Sequence, residues 1–237
     1  MIIGFMTLGI LTVFTYTNAP PVPDRVVNQQ GQLLFSKEEI NAGQGVFLKY
    51  ALMEHGTLWG HGAYLGPDYT AEYLHRTVKI GQEFLAQAHF GRAFAEIKPE
   101  EQHQVSQDLI AQLKRNQYDP ATKALSFSPV EEAAYTALLP YWQEYFTKPH
   151  TAPGLPANYI KNPEELQNLT AYFAWATWAT STNRPGKDYT YTNNWPYDPE
   201  AGNFPSSYAY IWSALSLVML LGGLGLVLFI FGRYNFL

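Results

Sequence analysis

One apolar run near the carboxyl end restricts the fold of this chain more than any other feature. Residues 208–231, YAYIWSALSLVMLLGGLGLVLFIF, comprise 24 residues without a charged side chain. As a helix they would be about 36 Å long, more than the roughly 30 Å hydrocarbon core of a bilayer. Tyr208, Tyr210 and Trp212 at one end and Tyr234 at the other are typical of the two membrane–water interfaces. The run therefore predicts a transmembrane helix.

A second apolar segment, residues 1–17, lies at the amino end and also carries no charged side chain. As a helix it would be about 25 Å long, slightly short of the hydrocarbon core. A signal peptide is the alternative, but no Lys or Arg precedes the apolar run, as a signal peptide requires. Pro20, Pro21 and Pro23 follow and cannot continue the helix. We favour a second transmembrane helix.

These two segments set the expected domain organisation. Arg233 lies just past the second segment and marks that end as cytoplasmic by the positive-inside rule. The sequence therefore predicts a transmembrane helix over 1–17, an extracytoplasmic domain over 18–207, a transmembrane helix over 208–231 and the start of a cytoplasmic segment over 232–237. Small residues within 208–231, at Gly222, Gly223 and Gly225, predict close approach of further membrane helices.

Composition excludes several classes of function. The formal net charge of -5 argues against a nucleic-acid surface, which needs a basic stripe. The chain contains no Cys, which excludes disulfides, thiolate metal sites, cysteine nucleophiles and covalently attached c-type haem. Hydrophobic residues make up 47% of the chain, enough for a substantial core.

Capping signals divide the central region into helices. Ser36, Asp68, Ser128 and Asn162 each precede a helical pattern as an N-cap candidate, and Pro99 suits the first position of a helix. The predicted elements are helices over 37–52, 69–96, 99–116, 129–146 and 163–178, and a short strand over 122–127.

Two stretches between these elements are expected to lack regular structure. Residues 147–162 contain three Pro and should form a loop. Residues 179–207 are polar and aromatic, and so long an irregular stretch is usually functional or packed on another surface.

The run over residues 43–73 has the most distinctive sequence in the chain. Four glycines between residues 56 and 66 are too closely spaced for a helix or strand, so they indicate a backbone that turns sharply or approaches something closely. His55 and His61 do not favour a zinc site, because they are not one turn apart on one helix.

Within this run, LMEHGTLWGHGAYLGP at 52–67 resembles the cytochrome c subunit of bacterial nitric oxide reductases, where a haem-attachment CxxCH precedes TLxGEGAY and a Pro. Leu52 and His55 stand at the two cysteine positions, and Gly56 stands at the axial His. Together with STNRPG at 181–186 and YTNNWPYDP with GN at 191–203, the pattern resembles the quinol-dependent nitric oxide reductases. In that family a cytochrome c-like domain without haem is fused to the catalytic subunit.

The resemblance implies a mainly α fold, in which two transmembrane helices flank a mostly helical, cytochrome c-like extracytoplasmic domain that lacks haem c. It implies the N-terminal portion of an oxidoreductase in a bacterial inner membrane, with the central domain on the periplasmic side. The enzyme converts 2 NO and quinol to N2O, water and quinone. Haem b, haem b3 and non-haem iron would lie in a haem b catalytic subunit or in a downstream domain of the same polypeptide.

No catalytic residue is expected in this chain, because neither apolar segment contains a His to ligate haem or iron. The resemblance implies that the chain caps the haem b and b3 site, while quinol binds through the partner. The alternative, from another class, is a non-catalytic membrane-anchored docking protein with a degenerate cytochrome c fold.

In the resembling family, the Gly and Tyr of the GAY motif help bind a calcium ion that bridges haem propionates. The corresponding positions are Gly62 and Tyr64, while His61 replaces the Glu of the motif. The alternative is that Gly62 only shapes the turn and Tyr64 only packs.

A cytochrome fold without haem needs side chains to fill the vacated space, because protein interiors are close-packed. We expect aromatic residues of the later helices to share this role with five residues of the run: Phe47, Tyr50, Leu52, Leu58 and Trp59.

Overall fold

The computed structural model describes residues 2–149 and 155–234. Within them the helices are α1 (Ile2–Thr17), α2 (Lys37–Lys49), α3 (Tyr69–Phe90), α4 (Pro99–Lys114), α5 (Pro129–Thr147), α6 (Pro163–Ser181) and α7 (Ser207–Tyr234). The strands are β1 (Arg25–Val27), β2 (Leu33–Ser36), β3 (Thr57–Leu58), β4 (His61–Gly62), β5 (Tyr118–Asp119) and β6 (Ala124–Ser126). The chain is mainly helical, as predicted.

The two apolar segments form helices that make no buried contact within the described part of the chain. In that part, α7 alone is both long and apolar enough to cross a bilayer, which agrees with the span predicted over 208–231 and indicates membrane association. At 16 residues α1 is apolar but shorter, so the second transmembrane helix is not confirmed and stays a prediction.

Local capping chemistry explains where the helices of the central domain begin. All four predicted N-caps are confirmed by side-chain acceptance of backbone N–H groups: Ser36, Asp68, Ser128 and Asn162. Two of these are full capping boxes, in which Glu39 accepts from the Ser36 N–H at 2.8 Å and Glu131 from the Ser128 N–H at 2.7 Å.

Two helix ends differ from the predictions. The helix predicted over 69–96 ends at Phe90, because Gly91 takes a left-handed φ of 64° that terminates α3. The helix predicted over 37–52 ends at Lys49, and Ala51 likewise has a positive φ of 47°. At the other helix ends the differences are of one to three residues, within the usual fraying of helix termini.

Most of the small β-structure was not predicted. The strand expected over 122–127 is present as β6, but it belongs to a sheet in the order β2-β1-β6-β5, with β1 parallel to β6 and the outer pairs antiparallel. Strands of two to four residues are too short to show a period of two, which is why the pattern missed them. Of the loop predicted over 147–162, residues 150–154 lie outside the described residues.

The core is built around α6, which is buried at every position from 169 to 181. Helix α2 lies against it so closely that a Cβ on Gly43 would be 2.0 Å from the Asn168 carbonyl oxygen. Next to this contact, the ring of Phe173 on α6 stacks on Tyr69 of α3 and meets Trp142 of α5, each with a centroid distance of 5.0 Å. The four helices α2, α3, α5 and α6 thus share one aromatic core.

Candidate functional site

The glycine-rich run folds into a tight hairpin between α2 and α3. Strands β3 and β4 pair antiparallel, with Thr57 opposite Gly62 and Leu58 opposite His61. The connecting residues Trp59 and Gly60 have positive φ values of 52° and 78°, the pattern of a type I′ turn. The sharp turn predicted from the glycine spacing is therefore a two-residue hairpin.

Asp68 fixes this hairpin to the start of α3. One carboxylate oxygen, Oδ1, accepts from the N–H groups of Thr70 and Ala71 at 3.0 and 2.9 Å as the helix cap. The other, Oδ2, accepts from the Thr57 hydroxyl at 2.5 Å and the Gly60 N–H at 2.8 Å. Sequence patterns identify the cap, but they carry no signal for the second set of contacts.

Gly62, the first predicted calcium ligand, lies where the chain passes closest to itself. It has a φ of 140°, and a Cβ there would be 2.3 Å from the Gly56 carbonyl oxygen and 3.0 Å from that of Met53. The next residue anchors the crossing, since the Ala63 N–H donates to the Met53 carbonyl oxygen at 2.7 Å. Only glycine fits this position without moving the backbone.

Tyr64, the second predicted ligand, projects away from the domain. Its side chain is 90% exposed, and its hydroxyl makes no hydrogen bond within the described residues. His61 and Gly62 are exposed as well, and Leu65 is 52% exposed. The hairpin therefore presents a largely exposed strip, residues 61–65, in which Ala63 is half-buried; we call it the tyrosine strip.

The turn of the hairpin is tied to the core, and through it to the segment that follows α1. The Trp59 indole Nε1 donates to the Ala176 carbonyl oxygen at 3.0 Å, and its ring lies 5.7 Å from that of Trp175. Trp175 in turn donates through its Nε1 to the Pro21 carbonyl oxygen at 2.9 Å. The hairpin thus lies at the end of the domain where α1 enters.

Both apolar helices meet the same irregular segment, residues 182–206. Arg184 in this segment donates through Nη1 to the Asn18 carbonyl oxygen at 2.9 Å and through Nη2 to that of Tyr191 at 2.7 Å. Near the start of α7, Lys187 and Trp212 line one cleft. The segment that was expected to be irregular therefore organises the junction between the domain and its apolar helices.

The positions that carry haem attachment in the resembling family are closed by packing. A Cβ on Gly56 would lie 2.4 Å from the Pro67 carbonyl oxygen and 2.9 Å from the ring of Tyr69. His55 is buried, with Nε2 3.3 Å from the hydroxyl of Tyr145. Burial raises the pKa of Tyr69 above its ordinary value and that of Tyr145 to about 12, so both hydroxyls stay neutral.

The five residues expected to fill the former haem space divide into two groups. Phe47, Leu52 and Leu58 are buried in the aromatic core. Tyr50 and Trp59 are half-buried at its margin, because each polar tip reaches a partner there, Glu165 in the case of Tyr50 at 2.8 Å. That these side chains occupy a vacated haem site stays a prediction.

Metal-binding capacity at the hairpin is limited to isolated oxygen donors. Within residues 2–149 and 155–234, no group of three or more His, Cys, Asp and Glu side chains is placed to hold a metal ion. Gly62 and Tyr64 can offer a carbonyl and a hydroxyl oxygen, both at the exposed surface. At the hairpin, the described residues by themselves therefore supply only part of a cation shell.

Comparison with known protein families gives a match over most of the chain. The family of the cytochrome c-like domain of the nitric oxide reductase protein NorB matches residues 23–197, well over half of the 237-residue chain. The matched region contains the hairpin, the aromatic core and most of the irregular segment 182–206. No curated protein sequence matches the chain.

Proposed function

The chain belongs to the family of the NorB cytochrome c-like domain of nitric oxide reductase, and on that premise we propose that it is the haem-free N-terminal part of a quinol-dependent nitric oxide reductase. Such an enzyme reduces 2 NO to N2O and water with quinol as electron donor. One observation carries the proposal: the position equivalent to the axial haem ligand is Gly56, packed against Tyr69, in a chain without any Cys.

A chain without Cys cannot hold haem through thioether bonds, so we place no electron carrier in this domain. Electrons from quinol then enter at haem b in the catalytic part, a partner subunit or a downstream domain that also carries haem b3 and non-haem iron. The fully exposed apolar surface of α7 supports such a partner, since its glycines permit close helix packing. We place the assembly in a bacterial inner membrane, with the central domain on the periplasmic side.

The chain's own contribution is structural. The hairpin is held rigidly by Asp68, and the tyrosine strip stands out from the end of the domain near α1 and the irregular segment. A rigid projection at that end is suited to covering the haem b and b3 site and to excluding water from it. No residue of this chain is assigned a catalytic role.

We further propose that Gly62 and Tyr64 contribute two oxygen ligands to a calcium ion shared with haem propionates. The residues fit this role, because both are exposed and the Tyr64 hydroxyl has no hydrogen-bond partner in the described part of the domain. Calcium takes six to eight oxygen ligands, so the remainder must come from the catalytic part. When bound, the cation would neutralise carboxylate charge at the interface.

Purification of the chain from its native membranes tests this proposal. A tag in the exposed turn that follows α3, at Arg92 for example, leaves the tyrosine strip and the junction with the apolar helices free. We expect the preparation to contain haem b and to consume nitric oxide with a quinol donor. A preparation that contains the chain but neither haem b nor nitric oxide reductase activity would instead favour the alternative of a membrane-anchored docking protein.

A further inference from the structure

A small cavity lies between α3, α5 and α6. Its volume is about 10 Å³, close to the space that one water molecule requires. Polar side chains contribute to its wall from each helix: Tyr73 and Thr77 from α3, Glu131 from α5, and Thr177 and Ser181 from α6. Two of these hydroxyls are already paired within their own helices, that of Thr77 with the Tyr73 carbonyl oxygen at 2.9 Å and that of Ser181 with the Trp178 carbonyl oxygen at 3.2 Å.

Two hydroxyl groups in this wall have no hydrogen-bond partner within the described residues. They are the Tyr73 Oη and the Thr177 Oγ1, and each of these residues is only 3% exposed. Buried polar groups are paired in nearly all proteins, with water where protein partners are missing. Tyr73 and Thr177 line the same cavity, so one molecule there can satisfy both hydroxyls.

The third polar group is the carboxyl of Glu131. Its Oε2 accepts from the Ser128 N–H at 2.7 Å, which anchors the side chain at the start of α5. Burial raises the pKa of Glu131 to about 7, so near neutral pH a large fraction of this group is a neutral acid that can donate a proton in a hydrogen bond.

We propose that a single water molecule occupies this cavity and bridges Tyr73, Thr177 and Glu131. Buried waters typically make about three hydrogen bonds, which matches the three groups available. The water would join α3, α5 and α6 at one point of the core. The inference stands apart from the proposed function, since it concerns no residue of the hairpin.

The sign of a stability change tests the proposal. Thr177→Val and Tyr73→Phe each remove one hydroxyl at nearly constant shape. If the cavity is dry, each variant loses an unpaired buried hydroxyl and its melting temperature rises or stays unchanged. If water bridges the groups, each variant breaks a hydrogen bond, and we expect the melting temperature of the full chain in detergent to fall by several degrees.

Tyr69→Phe is the matched control. The Tyr69 hydroxyl is also buried without a partner in the described residues, but Tyr69 does not line the cavity. We expect no loss of melting temperature in this variant. Stability equal to or above wild type in both Thr177→Val and Tyr73→Phe would overturn the proposal.

A double variant distinguishes a shared water molecule from a loss of stability that is caused by poor packing of the new side chains. If one water serves both hydroxyls, the losses in Thr177→Val and Tyr73→Phe overlap, and the combined variant loses less than their sum. Strictly additive losses would mean that the two hydroxyls act independently, which would also overturn the proposal.

Discussion

The backbones of Gly56 and Gly62 cross so closely that a single added carbon on Gly62 would lie 2.3 Å from the Gly56 carbonyl oxygen. The crossing closes the hairpin base and leaves Tyr64 exposed two residues later. The crossing leaves no room for a side chain at Gly62, while at Gly56 the space is taken by Pro67 and the ring of Tyr69.

Gly62→Ala should therefore destabilise the domain by about 2 to 3 kcal/mol, through the backbone clash and the unfavourable φ. Gly45→Ala is the matched control, because Gly45 is an exposed residue of α2 with no atom within 4 Å of its Cβ position. That control should gain about 0.5 to 1 kcal/mol from helix propensity. Denaturant unfolding of both variants measures the difference, and equal effects would refute the close crossing.

Arg184 should fix the residue that follows α1, Asn18, to the domain. Arg184→Lys keeps the charge but loses the planar fork that reaches Asn18 and Tyr191 together, so we expect a loss of about 1 to 3 kcal/mol and faster amide exchange near Asn18. Arg92→Lys is the control, because Arg92 forms an ion pair with Glu101 while its side chain stays 47% exposed, and an exposed pair contributes little to stability. A loss in Arg92→Lys as large as that in Arg184→Lys would contradict this assignment.

Glu131 should make stability depend on pH. Burial raises its pKa from 4.5 to about 7 in the folded chain, so between about pH 5 and pH 7 the folded state binds more protons than the unfolded state. The free energy of unfolding then falls as pH rises through this window. Glu131→Gln keeps an acceptor for the Ser128 N–H but cannot ionise.

Relative to wild type, Glu131→Gln should gain stability as the pH rises, reaching roughly 2 to 3 kcal/mol above pH 7. Unfolding curves of both proteins from pH 5 to pH 8 measure this difference. A difference that stays constant across that range would show that Glu131 is ionised in the folded chain at all of these pH values.

Tyr64→Phe should lower the calcium content of the assembly purified from membranes without lowering the stability of the domain. Its hydroxyl is a proposed ligand, and its side chain is 90% exposed. Tyr197→Phe serves as a control, since Tyr197 is another exposed tyrosine, at 64%, outside the tyrosine strip. Elemental analysis gives the calcium stoichiometry. Equal calcium in wild type and Tyr64→Phe would remove Tyr64 from the proposed shell.

The helices could be predicted from the sequence because the signals that mark their ends are local. Ser36 and Ser128 each lie three residues before the Glu that completes their capping box, so the whole motif is visible in four letters. The early end of α3 at Gly91 was missed because the apolar pattern continues past it, and a single glycine does not reveal its φ.

The candidate site could be predicted only in part from the sequence, because its contacts join distant parts of the chain. The glycine spacing predicted a sharp turn, and the resemblance supplied Gly62 and Tyr64. The contacts of Arg184 with Asn18 and of Trp59 with Ala176 span more than a hundred residues. No local pattern encodes such pairs, so the junction of the domain with its apolar helices required the structure.

Haem analysis of the chain purified with its bound partners from native membranes tests the central claim most directly. Acid–acetone extraction followed by pyridine haemochrome spectra separates haem b, which is released, from haem c, which stays covalently attached. We predict extractable haem b in the preparation and no haem attached to this chain. Covalent haem on the chain, or the absence of haem b from the whole preparation, would contradict the account.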